Sequence, residues 1–183
     1  MAKPRPQLPS LLVIVCCSRH APALAWARTK LETAYGPVGL VSPDFDFHFT
    51  RYYETDMGTE LKKRFLVFSN LVDPACLADV KLHTNRLEEE TADAGPFAER
   101  RPLNLDPGLL QLGKFMLATV KDKDHRIYLG DGIFAEVTLR FTAGNFEPWP
   151  WTYADYREDN VRSFLKQARD YYRQRLEEAQ APA

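Results

Sequence analysis

The chain has 183 residues, the length of one ordinary domain, and its 45% apolar content is enough to fill a core of that size. Its 24 lysines and arginines balance 25 aspartates and glutamates, so no overall positive field would attract nucleic acid or anionic lipid. The three cysteines lack a CxxC spacing, which favours a reducing compartment over a disulfide or metal framework. We predict a single domain over residues 1–183, with flexible ends at about 1–8 and 179–183.

The first apolar run, residues 11–17, follows Lys3 and Arg5 and therefore has the outline of a signal peptide. It is only seven residues long, and Arg19 and His20 follow it directly, which favours a buried central strand over a leader. No stretch approaches the roughly 20 apolar residues that a membrane span needs. We therefore predict a cytoplasmic protein that makes no membrane contact.

Strand and helix patterns alternate through the first half of the chain. Aromatic side chains at every second position indicate a half-buried strand, and an Asp-Pro dipeptide is typical of the start of a helix. The predicted elements are a central strand over residues 10–17, a helix from Pro22 to Gly36, a half-buried strand over 45–50, a polar connection over 51–63, a strand over 64–68, a helix from Asp73 to about Thr91 and a short strand over 102–105.

Residues 109–120 carry two conflicting patterns. Leu109, Leu112 and Met116 keep helical spacing, whereas Gly113 in the middle of the run is typical of an extended segment. We favour a helix here and keep a strand as the alternative.

The hairpin around Gly130-Asp131-Gly132 is the best-defined element, because a glycine in this three-residue loop supplies the positive φ that the turn needs. The loop sets a register in which Leu129 faces Ile133, Ile127 faces Ala135 and Arg126 pairs with Glu136. A turn at 143–145 adds a short strand. The last helix carries one apolar stripe, formed by Val161, Phe164, Leu165, Ala168 and Tyr172.

The element order β, α, β, β, α, β is that of a ferredoxin-like split βαβ unit. We predict an α+β fold, with a ferredoxin-like split βαβ core extended by a C-terminal β-meander and a packing helix. The sheet should be mixed and covered by helices mainly on one side. Such a fold hosts many activities, so the function has to be argued from side chains.

Five strings resemble one bacterial family, a domain of unknown function numbered four-four-one-six. They are Phe49-Thr50-x-Tyr52-Tyr53 through Met57-Gly58, Asn104 to Gly108, Lys121-Asp122 with His125 to Leu129, Ala135 to Leu139, and Trp151-Thr152-Tyr153 with Asp155-Tyr156. The resemblance runs from about residue 10 to the last helix. It implies no mechanism.

Some members of such families carry the automatic label GTP-binding protein. A phosphate-binding P-loop needs a glycine-rich turn ending in Gly-Lys-Ser or Gly-Lys-Thr between a strand and a helix. The first strand-to-helix junction here is instead residues 16–20, Cys-Cys-Ser-Arg-His, and the chain has no Gly-x-Gly-x-x-Gly. Any nucleotide binding would therefore use another arrangement.

Polar side chains at strand ends form the leading candidate site, made of Asn104, Asp106, Lys121, Arg126 and Glu136. Carboxylates beside cations can bind a metal-phosphate or act as acid and base. We predict that these residues line a cleft that binds, with or without turnover, a small anionic or phosphate-bearing ligand. No metal is assigned, and the cofactor and any catalytic residue stay unknown. The structural alternative is a cross-strand ion pair and a capping aspartate.

Three other clusters have structural interpretations. The first is Cys17 with Ser18 and His20, small polar residues that more readily cap the next helix than form a nucleophile and its base. The second is Lys81 with Asn85 and Glu88, a polar line along a helix that fits a face exposed to solvent. The third is His48 with His83 or Asp46, which lacks the ligand spacing of a zinc site.

The aromatic segment 149–156 supplies the rival function, a non-catalytic protein-interaction module. In that interpretation the segment and an edge strand of the meander engage another protein or a second copy of the chain, as a homo-oligomer would. The structural alternative is that the rings tuck a loop and the last helix onto the core.

Overall fold

The computed structural model describes residue 3, residues 6–51 and residues 53–180. The flexible ends predicted at 1–8 and 179–183 therefore lie partly outside the described residues, as does Tyr52 of the family strings. Within them, residues 6–8 have no regular structure and residues 179–180 belong to the last helix. No helix in these ranges is both long and apolar enough to cross a bilayer.

In the described part of the chain, nine strands form one sheet: β1 (Ser10–Ser18), β2 (Val38–Val41), β3 (Phe45–Phe47), β4 (Leu61–Val72), β5 (Asn104–Gln111), β6 (Lys114–Thr119), β7 (Ile127–Gly130), β8 (Ile133–Thr142) and β9 (Asn145–Pro148). The helices are α1 (Ala21–Tyr35), α2 (Glu54–Met57), α3 (Leu77–Ala94) and α4 (Asp159–Gln180).

The strand order is β2-β4-β1-β5-β6-β8-β7, with β3 on β4 and β9 on β8. The predicted α+β class is confirmed, whereas the ferredoxin-like detail stays a prediction. The predicted mixed sheet is wrong, because every pair of neighbouring strands is antiparallel.

Strand β1 lies in the middle of the sheet and is buried on both faces, as its continuous apolar run predicts. Leu12 and Ile14 pack against α1 and α3, whereas Val13 and Val15 pack against α4. Helices therefore cover both faces, and the prediction of cover mainly on one side is wrong. The apolar stripe predicted for α4 is buried throughout and supplies the second cover.

Residues 109–120 are not helical. They form the end of β5, a turn at Leu112-Gly113 and strand β6, so the favoured helix is wrong and the extended alternative is right. Leu109 and Leu110 are buried on opposite faces of the sheet, so apolar residues fill both faces of this run and the helical spacing of Leu109, Leu112 and Met116 arises without a helix. The short strand predicted over 102–105 is instead the start of β5, which continues through Asp106-Pro107-Gly108.

The meander follows its predicted register in part. Ile127 lies opposite Ala135, but Gly130 and not Leu129 lies opposite Ile133, because the register shifts between Tyr128 and Gly130. Strand β4 begins at Leu61, so the predicted connection over 51–63 is too long and the strand over 64–68 too short. Strand β2 and helix α2 were not foreseen.

Strands β5 and β6 separate beyond the Gly108–Leu117 pair, leaving a gap, the fork, between residues 104–107 and residues 118–120. Gly108 allows the closest approach before the separation, because a Cβ there would lie 2.4 Å from the Met116 carbonyl oxygen. Pro107 stands next to it and has no N–H to donate across the fork.

Helix α3 completes the hydrogen bonding of β5 at the fork. The Leu105 N–H donates to Glu88 Oε1 at 2.7 Å, and the Leu105 carbonyl accepts from Lys81 Nζ at 2.8 Å. Two side chains thus take the place of a neighbouring strand, because a buried backbone group needs a partner.

Candidate functional site

A cavity of about 440 Å³ opens at the fork, a size within the range of small-ligand pockets. It lies on the face of the sheet that α4 covers, next to the turn that precedes this helix. Its lining comes from every element around the fork: Phe47, Phe49, Thr50, Tyr53, Lys63, Lys81, Arg101, Asn104, Asp106, Leu117 to Lys121, Glu136 and Tyr153 to Tyr156.

Asp106 lies at the centre of the charged part of the lining. Its Oδ2 accepts from Asn104 Nδ2 at 2.7 Å, and its Oδ1 is 3.6 Å from Lys81 Nζ. Burial acts to raise the pKa of Asp106, but Lys81, Lys63, the Asn104 hydrogen bond and Arg101 together hold that pKa below its ordinary value. Asp106 is therefore a charged carboxylate facing the cavity.

Lys81 reaches Asp106 from the opposite face of the sheet, through the fork. It also lies 3.9 Å from Glu88, whose other oxygen accepts from Arg101 Nη2 at 2.7 Å. Burial raises the pKa of Glu88. The solvated face expected for Lys81, Asn85 and Glu88 is therefore wrong for its two charged members, which are buried.

Lys63 of β4 supplies a second buried charge. It donates to Asp155 Oδ2 at 2.5 Å, and its Nζ lies 4.3 Å from the centre of the Phe47 ring. Burial acts to lower the pKa of Lys63, but Asp155 and Asp106 outweigh it and raise that pKa. Sequence analysis missed Lys63 because it fell in the predicted connection.

Glu136 of β8 forms the third charged group. Its Oε2 accepts from Arg126 Nε at 2.8 Å and lies 3.2 Å from His125 Nε2. Arg126 also donates to the Lys121 carbonyl at 2.8 Å and to the Tyr153 hydroxyl at 2.6 Å. Through these hydrogen bonds Arg126 fixes the position of the β8 side of the cavity.

Two tyrosines precede α4. Burial raises the pKa of Tyr153 to about 12, so its hydroxyl keeps its proton while it accepts from Arg126. The Tyr156 hydroxyl is buried and has no hydrogen-bond partner among the residues that the structure describes. An unpartnered buried hydroxyl is rare and costly in a protein interior.

Four of the five predicted site residues line one cavity: Asn104, Asp106, Lys121 and Glu136. Arg126 is outside the lining but donates hydrogen bonds to three lining residues, Lys121, Glu136 and Tyr153. The structure adds Lys63, Lys81, Arg101, Tyr153, Asp155 and Tyr156, which come from segments that the sequence did not connect.

The cluster after β1 is engaged in structural contacts. Burial raises the pKa of Cys17 to about 12, so its thiolate is inaccessible. The Ser18 hydroxyl donates to the Pro102 carbonyl at 2.6 Å, and His20 Nε2 lies 2.7 Å from Glu99.

The two histidines considered for zinc lie in different environments. His83 Nδ1 is 2.6 Å from the Tyr35 hydroxyl, whereas His48 stacks on Phe49. The described ranges contain no group of three or more His, Cys, Asp or Glu side chains that could hold a metal ion.

The aromatic segment 149–156 packs against β8. Trp151 stacks between Trp149 and His125, with ring centres 5.2 Å apart on each side, and its Nε1 donates to the Val137 carbonyl at 3.0 Å. These contacts fit the structural interpretation of the segment. Its role as an interaction module, with exposed strand β7 beside it, stays a prediction.

Comparison with known proteins gives a family without a mechanism. The model of a family described as a domain of unknown function (DUF4416) matches residues 8–172. The match spans every residue that lines the cavity. No curated protein and no solved structure matches the chain.

Proposed function

The chain belongs to the DUF4416 family, a domain of unknown function, and from its cavity we propose that the protein binds a small anionic or phosphate-bearing ligand. The observation that carries this proposal is the convergence of four cationic side chains from four separate segments on one cavity. They are Lys63, Lys81, Arg101 and Lys121.

The charge balance of the lining favours an anion of low charge. The four cations face three acidic residues, Asp106, Glu136 and Asp155, so the lining has a formal charge of +1. Surplus positive charge in a concave, partly desolvated site strengthens its attraction for an anion.

The remaining lining supports a ligand with an apolar part. Phe47, Phe49, Leu117 and Val120 supply apolar surface on the walls. Small-molecule sites commonly combine such walls with a few polar groups that fix orientation. The proposed ligand therefore joins an anionic group to an apolar or ring-containing body.

Calorimetric titration with ethyl phosphate and with phenylpropionate, supported by thermal shift, tests the proposal. A ligand at about 100 times its Kd adds roughly 2.7 kcal/mol to the free energy of unfolding. Lys121→Gln should weaken binding severalfold, because it removes a cation from the lining. Lys123→Gln is the matched control, since Lys123 is exposed and outside the lining.

The two substitutions decide the proposal. Equal effects of Lys121→Gln and Lys123→Gln would show that any binding is nonspecific, and no heat or stabilisation with either anion would overturn the proposal. Turnover of a bound ligand stays a prediction, which product analysis would test.

We also place this binding in the cytoplasm. The support is that Cys16, Cys17 and Cys76 are all free thiols, which suits a reducing compartment.

A further inference from the structure

The cavity lining contains carboxylates, which accept hydrogen bonds and therefore do not pair with an anion. Three carboxylates line it, from Asp106, Glu136 and Asp155. Glu136 accepts from Arg126 and lies against His125, and Asp155 accepts from Lys63 through Oδ2. Asp106 differs from both in its exposure, because its side chain is 29% accessible against 9% for Asp155 and 1% for Glu136.

Among the described residues, Asp106 Oδ1 accepts no hydrogen bond, and the Lys81 ammonium lies 3.6 Å from it, which is an ion-pair distance and too long for a good hydrogen bond. Its other oxygen already accepts from Asn104. The side chain keeps 29% of its surface accessible although its neighbours Lys81 and Glu88 are buried, so the carboxylate can be reached from the cavity.

The Tyr156 hydroxyl is a second polar group of the lining that no described residue satisfies. Its side chain is buried, and the hydroxyl has no hydrogen-bond partner among the described residues. Because this oxygen is closed to solvent, the inference rests on the accessible Asp106 carboxylate and not on Tyr156.

We infer that the ligand carries an amino group in addition to its anion, and that Asp106 receives this amino group. The inference rests on the proposed anion binding at the same cavity. It narrows the ligand class to amphoteric small molecules, such as amino acids and amino phosphates, because a plain anion would leave Asp106 facing it as a like charge. The cationic lining holds the anion, and the fork holds the amino group.

Titration with matched pairs of ligands tests the inference on the unaltered protein. Phosphoethanolamine is compared with ethyl phosphate, and phenylalanine with phenylpropionate, so that each pair differs by one amino group. The amino member of at least one pair should bind about tenfold more tightly or better. If the plain anions bind as tightly as their amino partners, or more tightly, the inference is wrong while the proposed anion binding stands. If no member of either pair binds, both fail.

Asp106→Asn then locates the amino group. The substitution should abolish the preference for the amino member while leaving the plain anions bound as tightly as before, or more tightly. Asp44→Asn is the matched control, because Asp44 pairs with Arg64 outside the lining. A preference that survives Asp106→Asn would overturn the assignment to Asp106, and the comparison on the unaltered protein needs no variant to fold.

Discussion

The Arg126 guanidinium lies against the Glu136 carboxylate, with Nε 2.8 Å from Oε2, and the two side chains are 4% and 1% exposed. An ion pair between strands at an exposed sheet surface would contribute little to the free energy of unfolding, but this pair is buried away from water. Removing one partner of a buried pair leaves an uncompensated charge in the interior.

Arg126→Met should therefore lower the free energy of unfolding by about 3 to 5 kcal/mol. Urea unfolding of the purified variant measures this loss. Arg28→Met is the control, because Arg28 forms an exposed pair with Glu32 within α1, and it should change stability by no more than about 0.5 kcal/mol. Similar losses in both variants would contradict the view that Arg126 braces the cavity wall.

Asp106 should make the protein sensitive to acid. Because its folded-state pKa is held below the ordinary value of 3.8, its contribution to stability is present above that value and is lost as the pH falls through the folded pKa. Between about pH 5 and pH 2, the unaltered protein should lose more unfolding free energy than Asp106→Asn does. Asp122→Asn, in the exposed segment before β7, should follow the unaltered protein. If the free energy of unfolding falls with pH by the same amount in all three proteins, the prediction is wrong.

Gly108 and Gly113 form a matched pair for the fork. A Cβ at position 108 would lie 2.4 Å from the Met116 carbonyl oxygen, so Gly108→Ala should cost about 1 to 3 kcal/mol or more. Nothing lies within 4 Å of a Cβ at Gly113, and Gly113→Ala should stay within about 1 kcal/mol of the unaltered protein. Thermal unfolding compares the stabilities of the two variants. If Gly108→Ala is as stable as the unaltered protein, then β5 and β6 can separate before residue 108.

The buried thiols give a test by chemical labelling. Cys17 is 2% exposed and its pKa is raised to about 12 by burial, whereas Cys76 is partly accessible. Native protein should react with a thiol reagent at Cys76 before Cys16 or Cys17, and all three should react in denaturant. Rapid native labelling of Cys17 would show that the end of β1 opens.

Local patterns in the sequence predicted the α+β class, the central strand, α4 and the contact between Arg126 and Glu136. They failed where the outcome depended on distant partners. The run over 109–120 has helical spacing, and it is extended because its two halves pair with β1 and with β8. Lys63 joins the site only through the register of β4 on β1.

The fork could have been suspected from Pro107-Gly108 in an otherwise apolar run, since a missing N–H and a missing side chain both interrupt strand pairing. Lys81 and Arg101 could not have been assigned to the cavity in this way. Lys81 is placed by α3 lying across the fork, and Arg101 by its contact with Glu88 of that helix, neither of which a local pattern specifies.

The use of α3 side chains in place of a strand gives Leu105 a distinctive amide. Its hydrogen is held by Glu88 and not by the backbone of β6, so its exchange with solvent depends on whether α3 stays docked and not on whether the hairpin opens. Its neighbours on β5 are held by strand pairing and would exchange with the sheet. The hydrogen-exchange rate of this one amide thus distinguishes undocking of α3 from opening of the sheet. A molecule that enters the fork beside Lys81 would change the exchange rate of Leu105 before those of the other β5 amides.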